Sequence, residues 1–235
     1  MKGKLYLIPT TLGECSVDGV IPASVKSIIS NLNIFIVENI RTARRYIRKI
    51  DADKSIDDLT FFVLNKHTGK EQLPEFLAPI KEGRDVGVIT EAGVPGIADP
   101  GEDIVRMAHE QEINVVPLTG PSSIILALMG SGLNGENFAF NGYLPIQSNE
   151  RIKKLKIIEK RSHQENQTQI FMETPYRNNQ MLKDILEHCR DHTLLCIASN
   201  ITLENESIQT MSIKEWKKSV PDLNKQPAIF LLYAS

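Results

Sequence analysis

The sequence predicts an α/β protein of two domains, the N-terminal one a mainly parallel sheet flanked by helices and the C-terminal one a mixed sheet. Three observations predict it. Short apolar runs recur at wide intervals in the first half, stretches with helical spacing separate them, and some strand candidates of the second half are joined by connections too short for a helix.

The first run, Leu5-Tyr6-Leu7-Ile8, leads to a helical pattern at Val25, Ile28, Ile29 and Leu32, and the second run is Ile34-Phe35-Ile36-Val37. Phe61-Phe62-Val63-Leu64 follows, then a pattern at Leu73, Phe76, Leu77 and Ile80 in which Pro79 sits awkwardly near the helix end. Val86-Gly87-Val88-Ile89 and Val115-Val116 complete the set. Runs without in/out polarity are what strands covered on both faces require, and their alternation with helices implies right-handed crossovers. The apolar stretch Ile124 to Met129 reads as a helix, and the glycines around Asn134 and Asn137 as a break. Beyond it the strand candidates are Phe138–Tyr143, Gln169–Met172, Leu194–Ala198, Ile208–Met211 and Ala228–Tyr233. The expected division is 1–118 and 119–235.

With 235 residues, 41% of them hydrophobic, the chain is large enough for one large core or two modest ones, and disorder is not expected. A net charge of −2 gives no global field to hold a polyanion or a membrane, so any nucleic-acid contact must be local. The three cysteines, Cys15, Cys189 and Cys196, form no C-x-x-C pair, which fits reduced thiols in a cytoplasmic protein. The run before Pro9 is too short for a signal segment or a membrane span, and no membrane partner is expected.

Two loops have the chemistry of ligand sites. Thr90 to Gly101 follows the strand ending at Ile89, where parallel sheets bind ligands, and its Asp99, Pro100 and Glu102 have the cap, first-turn and capping-box chemistry of a helix start. Pro95 interrupts any likeness to a dinucleotide fingerprint. Thr119-Gly120-Pro121-Ser122-Ser123 again joins a strand to a helix whose N-terminus attracts anions. Each alone also reads as a plain strand-to-helix turn.

In order along the chain, Leu5-Tyr6-Leu7-Ile8-Pro9, Glu91-Ala92-Gly93-Val94-Pro95-Gly96-Ile97-Ala98-Asp99-Pro100-Gly101, Gly120-Pro121-Ser122-Ser123, Ser131-Gly132-Leu133, Phe140-Asn141-Gly142-Tyr143-Leu144-Pro145 and Phe171-Met172-Glu173-Thr174-Pro175-Tyr176-Arg177 resemble the tetrapyrrole-methylase superfamily. The resemblance is strongest to its branch that methylates a cytidine ribose hydroxyl of small-subunit ribosomal RNA. It implies a homodimeric two-domain methyltransferase with S-adenosylmethionine in a cleft between the domains. It also implies that Pro9, Ala92, Gly93, Val94, Ser122, Ser123, Glu173, Ile201 and Ala228 contact that cofactor. Methyl transfer from a sulfonium needs alignment and a dry site rather than a covalent nucleophile, and no metal is expected.

Members of that branch usually carry Pro-Ile-Gly-Asn after the first strand, an acidic pair with Thr-Arg after the second, and Arg-Glu-Leu-Thr-Lys in the second domain. Here those places read Pro9-Thr10-Thr11-Leu12-Gly13-Glu14, Glu38-Asn39-Ile40-Arg41 and Ala198-Ser199-Asn200-Ile201-Thr202. The resemblance therefore carries the reaction type and leaves the acceptor open between RNA, a small molecule such as a tetrapyrrole, and a protein side chain. A non-enzymatic nucleotide-binding module is the remaining alternative.

Local charge favours RNA. Arg41, Arg44, Arg45 and Arg48 fall on one face of a helix just past a strand end, a stripe that reads equally as a solvated face, and Arg41, Arg44, Arg48 and Arg177 are the expected substrate contacts. Lys153, Lys154, Lys156, Lys160 and Arg161 form a second basic run that also reads as a solvated face. Glu38 and Glu91, each at a strand end, are the candidates for handling the acceptor's proton. His67, beside Lys66, reads as a surface-loop histidine. His188, Cys189, His192 and Cys196 invite a zinc reading, which the apolar helix face containing Cys189 and the strand containing Cys196 oppose.

Overall fold

The computed structural model describes residues 2–65 and 67–234, which divide into two compact units, Met1–Ser122 and Ser123–Ser235. The first runs β1 (Lys4–Ile8), α1 (Val17–Val20), α2 (Ala23–Asn31), β2 (Ile34–Val37), α3 (Ile40–Ile50), β3 (Thr60–Val63), α4 (Leu73–Lys81), β4 (Val86–Ile89), α5 (Glu102–Glu110) and β5 (Asn114–Pro117). All its strand pairs are parallel, in the order β3-β2-β4-β1-β5.

Side chains alternate across a strand, so the unbroken apolar run of β2 supplies two cores at once. Phe35 and Val37 join Ile8 and Ile89 beneath Val25 and Ile29 of α2 and Tyr46 and Ile47 of α3. Ile34 and Ile36 join Leu5, Val86 and Val88 beneath Phe76 and Leu77 of α4 and Ile104 of α5. Burying each such side chain contributes roughly 1.5–3 kcal/mol. Connections running toward β3 therefore cover one face and those returning toward β5 the other, and the loops after the neighbouring strands β1 and β4 leave toward opposite faces. Such a reversal is where open parallel sheets hold ligands.

The second unit contains α6 (Ser123–Ser131), β6 (Phe138–Tyr143), α7 (Ser148–Glu165), β7 (Thr168–Met172), α8 (Asn178–His188), β8 (Leu194–Ser199), β9 (Ser207–Ser212), α9 (Ile213–Trp216) and β10 (Ala228–Tyr233). Its sheet, β6-β7-β10-β8-β9, is mixed: β6 and β7 are parallel across α7, and the other pairs are antiparallel. Phe171 and Phe230 stack at 5.8 Å in its core, with Leu155, Ile158, Met181 and Ile185 packed around them. Among the described residues of this unit one ion pair is buried: Arg151 Nη2 lies 2.5 Å from Asp184 Oδ2 with both side chains 4% exposed. Arg151 Nη1 also donates to Ile146 O at 2.7 Å, so α8 holds the β6–α7 turn through this guanidinium.

One local expectation is overturned. The helix expected to be capped by Asp99 begins at Glu102 with Gly101 as N-cap. Ala98 at φ 63 and Gly101 at φ 145 fold the preceding residues into a loop that α-helical geometry cannot include, and they turn Asp99 inward. Pro79 is accommodated inside the last turn of α4, where its carbonyl accepts from Arg84 N at 3.0 Å. Cys189 caps α8 against the core and Cys196 lies buried inside β8, as the argument against zinc requires. Burial, helped by the charge of Glu159, pushes the Cys189 thiol up to about 12. His67 is exposed, and Lys66 lies outside the described residues. Among the described residues no helix is long and apolar enough to cross a membrane.

Candidate active site

In the first unit the loops after β1 and β4 are tied together. Thr10 N donates to Gly93 O at 2.7 Å, and the Tyr46 hydroxyl of α3 donates to Pro9 O at 2.6 Å. Gly93 stands at φ +76 with Leu12 Cδ2 3.1 Å from where a Cβ would be, so a side chain there meets both backbone strain and a neighbour. Gly120, in the loop after β5, lies against the Pro9 ring so closely that a Cβ would fall 2.2 Å from Pro9 Cβ. Pro9, Ala92, Gly93, Val94 and Ser122 thus sit on loops at the carboxyl ends of adjacent strands.

A cavity of about 580 Å³ opens beside these loops. Thr10, Ala43, Tyr46, Ile89 and Thr90 are the buried part of its lining, and Glu91, Arg45, Arg48 and Lys49 are exposed parts. Asn39 caps α3 by accepting from Arg41 N at 2.9 Å, and this places Thr42 one turn in. The Thr42 hydroxyl donates to Glu91 Oε1 at 2.5 Å, while Glu91 N donates to Glu38 Oε1 at 3.1 Å. Both sequence-predicted carboxylates are therefore together, with Glu91 in the cavity wall and Glu38 behind it. Burial raises the Glu38 pKa, with the Glu91 charge adding to the effect and the Glu91 N–H opposing it. Asp99 completes the group, pushed up to about 6 by burial and then by the charges of Glu38 and Glu91.

The arginines divide. Arg45 and Arg48 face the cavity and Arg44 is paired with Asp57, while Arg41 is exposed outside the cavity lining. Lys49, one turn beyond Arg45, joins the cavity without belonging to the arginine stripe. Helical spacing was the signal that could have found it, as it was for Thr42.

In the second unit Ala228 pairs with Ser199 and Ile229 with Met172, so Ala228, Ile201 and Glu173 come to one end of the sheet. The Glu173 side chain is 1% exposed, and its Oε1 accepts from Thr174 N at 2.7 Å and Arg177 Nη2 at 2.6 Å. Burial pushes this carboxyl upward, but Arg177 and the Thr174 N–H outweigh it and its pKa is lowered. Glu173 Oε2 and Thr202 Oγ1 are buried without partners. Asn200 and Thr202 also hold φ values of 51 and 70, a conformation that is ordinary for Asn but strained for the β-branched Thr202. Arg177 is thus engaged by Glu173, and Ser123 opens α6.

The profile of the tetrapyrrole (corrin/porphyrin) methylases matches residues 25–217. The chain belongs to this family. It is a methyltransferase, and S-adenosylmethionine is its methyl donor. Among similar proteins, the ribosomal RNA small subunit methyltransferase I of Vibrio cholerae is 31% identical over 90% of this chain and 69% of its own length. That of Escherichia coli O157:H7 is 28% identical over 98% and 78%. Among solved structures, the methyltransferase CobJ superposes with a TM-score of 0.64 at 15% identity, covering 99% of this chain and 95% of its own. Cobalt precorrin-4 methyltransferase, CbiF, does so at 0.61 and 13%, covering 98% and 94%. At these identities the structural likeness concerns the fold alone.

Proposed function

We propose that this methyltransferase modifies a ribose 2′-hydroxyl of small-subunit ribosomal RNA. The likeness to relatives named for ribosomal RNA methylation carries the reading, since it extends over nearly the whole chain. The geometry supports it with three cations and two carboxylates, Glu14 and Glu91, lining one cavity, a set suited to a sugar hydroxyl flanked by phosphates. Arg48 is the cavity-facing member of the expected substrate contacts, and Arg41, Arg44 and Arg177 are assigned to the RNA at their exposed surfaces.

The residues present fit the donor. The glycine loop offers backbone at Ala92, Gly93 and Val94 with no side chain at its tightest point, and Pro9 and Ser122 flank it. The second unit's own candidates, Ser123, Glu173, Ile201 and Ala228, include a buried carboxylate oxygen without a hydrogen-bond partner, the state of an acceptor awaiting a ligand. When bound, the donor supplies an electrophilic methyl carbon attached to sulfur. Glu91, held by Thr42 and by the contact of its own N–H with Glu38, positions the acceptor hydroxyl and takes its proton as the oxygen is methylated. We further assign the protein to the cytoplasm as a homodimer, where assembled ribosomal subunits are found.

Transfer of labelled methyl from S-adenosylmethionine into small-subunit RNA, at an alkali-resistant 2′-O position, tests the reading. Glu91→Gln is expected to lower turnover roughly 100-fold while donor affinity stays within about twofold. Undiminished turnover removes Glu91 from the chemistry, and label confined to protein or small-molecule fractions overturns the RNA substrate.

A further inference from the structure

Arg45, Arg48 and Lys49 are all exposed on α3, all line the cavity that contains Glu91, and among the described residues none of them makes an ion pair. Their neighbour Arg44, outside the cavity, is neutralised by Asp57. Long cations left unpaired around a cavity supply the charge that a phosphodiester requires. Glu14, also exposed, is a second lining carboxylate beside Glu91, leaving three cations against two acids, and the rest of the lining is of another kind. Ala43 and Ile89 are buried and apolar, the Tyr46 hydroxyl is committed to Pro9 O, and Thr10 and Thr90 add small hydroxyl-bearing walls. A volume of about 580 Å³ lies within the range of sites for single small ligands and is too small for a stretch of duplex.

We propose that this cavity holds one ribonucleotide drawn out of its stack, with its flanking phosphate on Arg45, Arg48 and Lys49 and its ribose edge at Glu91. The assignment rests on the RNA reading above and narrows it: the enzyme would read an unpaired or extruded nucleotide rather than a helix surface. The cations belong to a helix whose first turn carries Thr42, the residue that holds Glu91. Phosphate binding and hydroxyl positioning would therefore be built on one rigid element, separated by about one to two helical turns.

The four ribonucleoside 3′-monophosphates serve as probes, titrated against the full chain beside the parent nucleosides and inorganic phosphate. At least one nucleotide is expected to bind tenfold or more tightly than both its nucleoside and phosphate, and Arg45→Ala with Lys49→Ala should remove that advantage. In methyl transfer the same double variant should raise the RNA KM at least tenfold and reduce the salt slope by about one, with donor affinity within twofold. Equal binding of nucleotides and nucleosides, or an unchanged KM, overturns the pocket even where wild-type enzyme methylates RNA. Conversely, the nucleotide preference with no transfer to RNA upholds the pocket and sinks the ribosomal substrate. Lys160→Ala, an exposed cation on α7 of the second unit, is the control and should leave the nucleotide preference in place.

Discussion

Asp99 is a residue whose pattern and placement disagree. Followed by Pro100 and Glu102 it has the composition of a helix cap, yet the left-handed turn at Ala98 and the glycine at position 101 carry it into the company of Glu38 and Glu91. Backbone φ at single loop positions is decided by what packs around the loop, and composition does not reveal it. The consequence is measurable. A carboxyl raised from its usual 3.8 to about 6 takes up protons on folding. Its favourable contribution is therefore complete below pH about 4 and is lost as pH rises through about 6. Asp99→Asn should flatten the fall in stability between pH 4 and 7, leaving a residual slope from Glu38, whose shift has the same direction. Denaturation profiles in urea that run parallel for the two proteins across this range would refute it.

At the scale of elements, the strand runs were legible because burial on both faces leaves no polar positions, and Ile34-Phe35-Ile36-Val37 shows this most plainly. The four-residue helices α1 and α9 were not, since neither completes enough turns to display a period. The arginine stripe on α3 was visible as a face, but the division of that face between a cavity and the Asp57 ion pair depends on neighbours far along the chain. Tyr46 shows how such a helix is anchored. Its ring is in the core while its hydroxyl reaches Pro9 O, coupling α3 to the loop after β1. Tyr46→Phe should cost about 1 kcal/mol by equilibrium unfolding, the worth of one buried hydrogen bond with its acceptor left unsatisfied. A loss under a few tenths would mean that the carbonyl finds another partner.

For the molecule as a whole, a parallel sheet followed by a mixed one could be read from connection lengths, the β8–β9 link being the decisive short one. The order β3-β2-β4-β1-β5 could not, because pairing partners far apart in sequence leave no local trace. Nor did any pattern mark Arg151 and Asp184 as a buried pair, since each lies among residues typical of a solvated helix face. Asp184→Ala strands a guanidinium at 4% exposure and should destabilise the second unit by about 3–5 kcal/mol. Replacing both partners, as Arg151→Met with Asp184→Leu, should recover most of that loss. Equal destabilisation by the single and double changes would show that the charge pair is not what the helices require.

The pairing of β1 has a bearing on biosynthesis. Its two neighbours are β4 and β5, the last strands of its unit to be made, and no strand of that sheet pairs through a hairpin. A nascent chain therefore exposes Leu5 to Ile8 with both edges bare until Val86–Ile89 has emerged, and with one edge bare until Asn114–Pro117 has cleared the exit tunnel. Within its sheet β1 is the first strand to be made and among the last to be fully paired, so an apolar strand edge stays open to pairing with other chains for most of the synthesis of this unit.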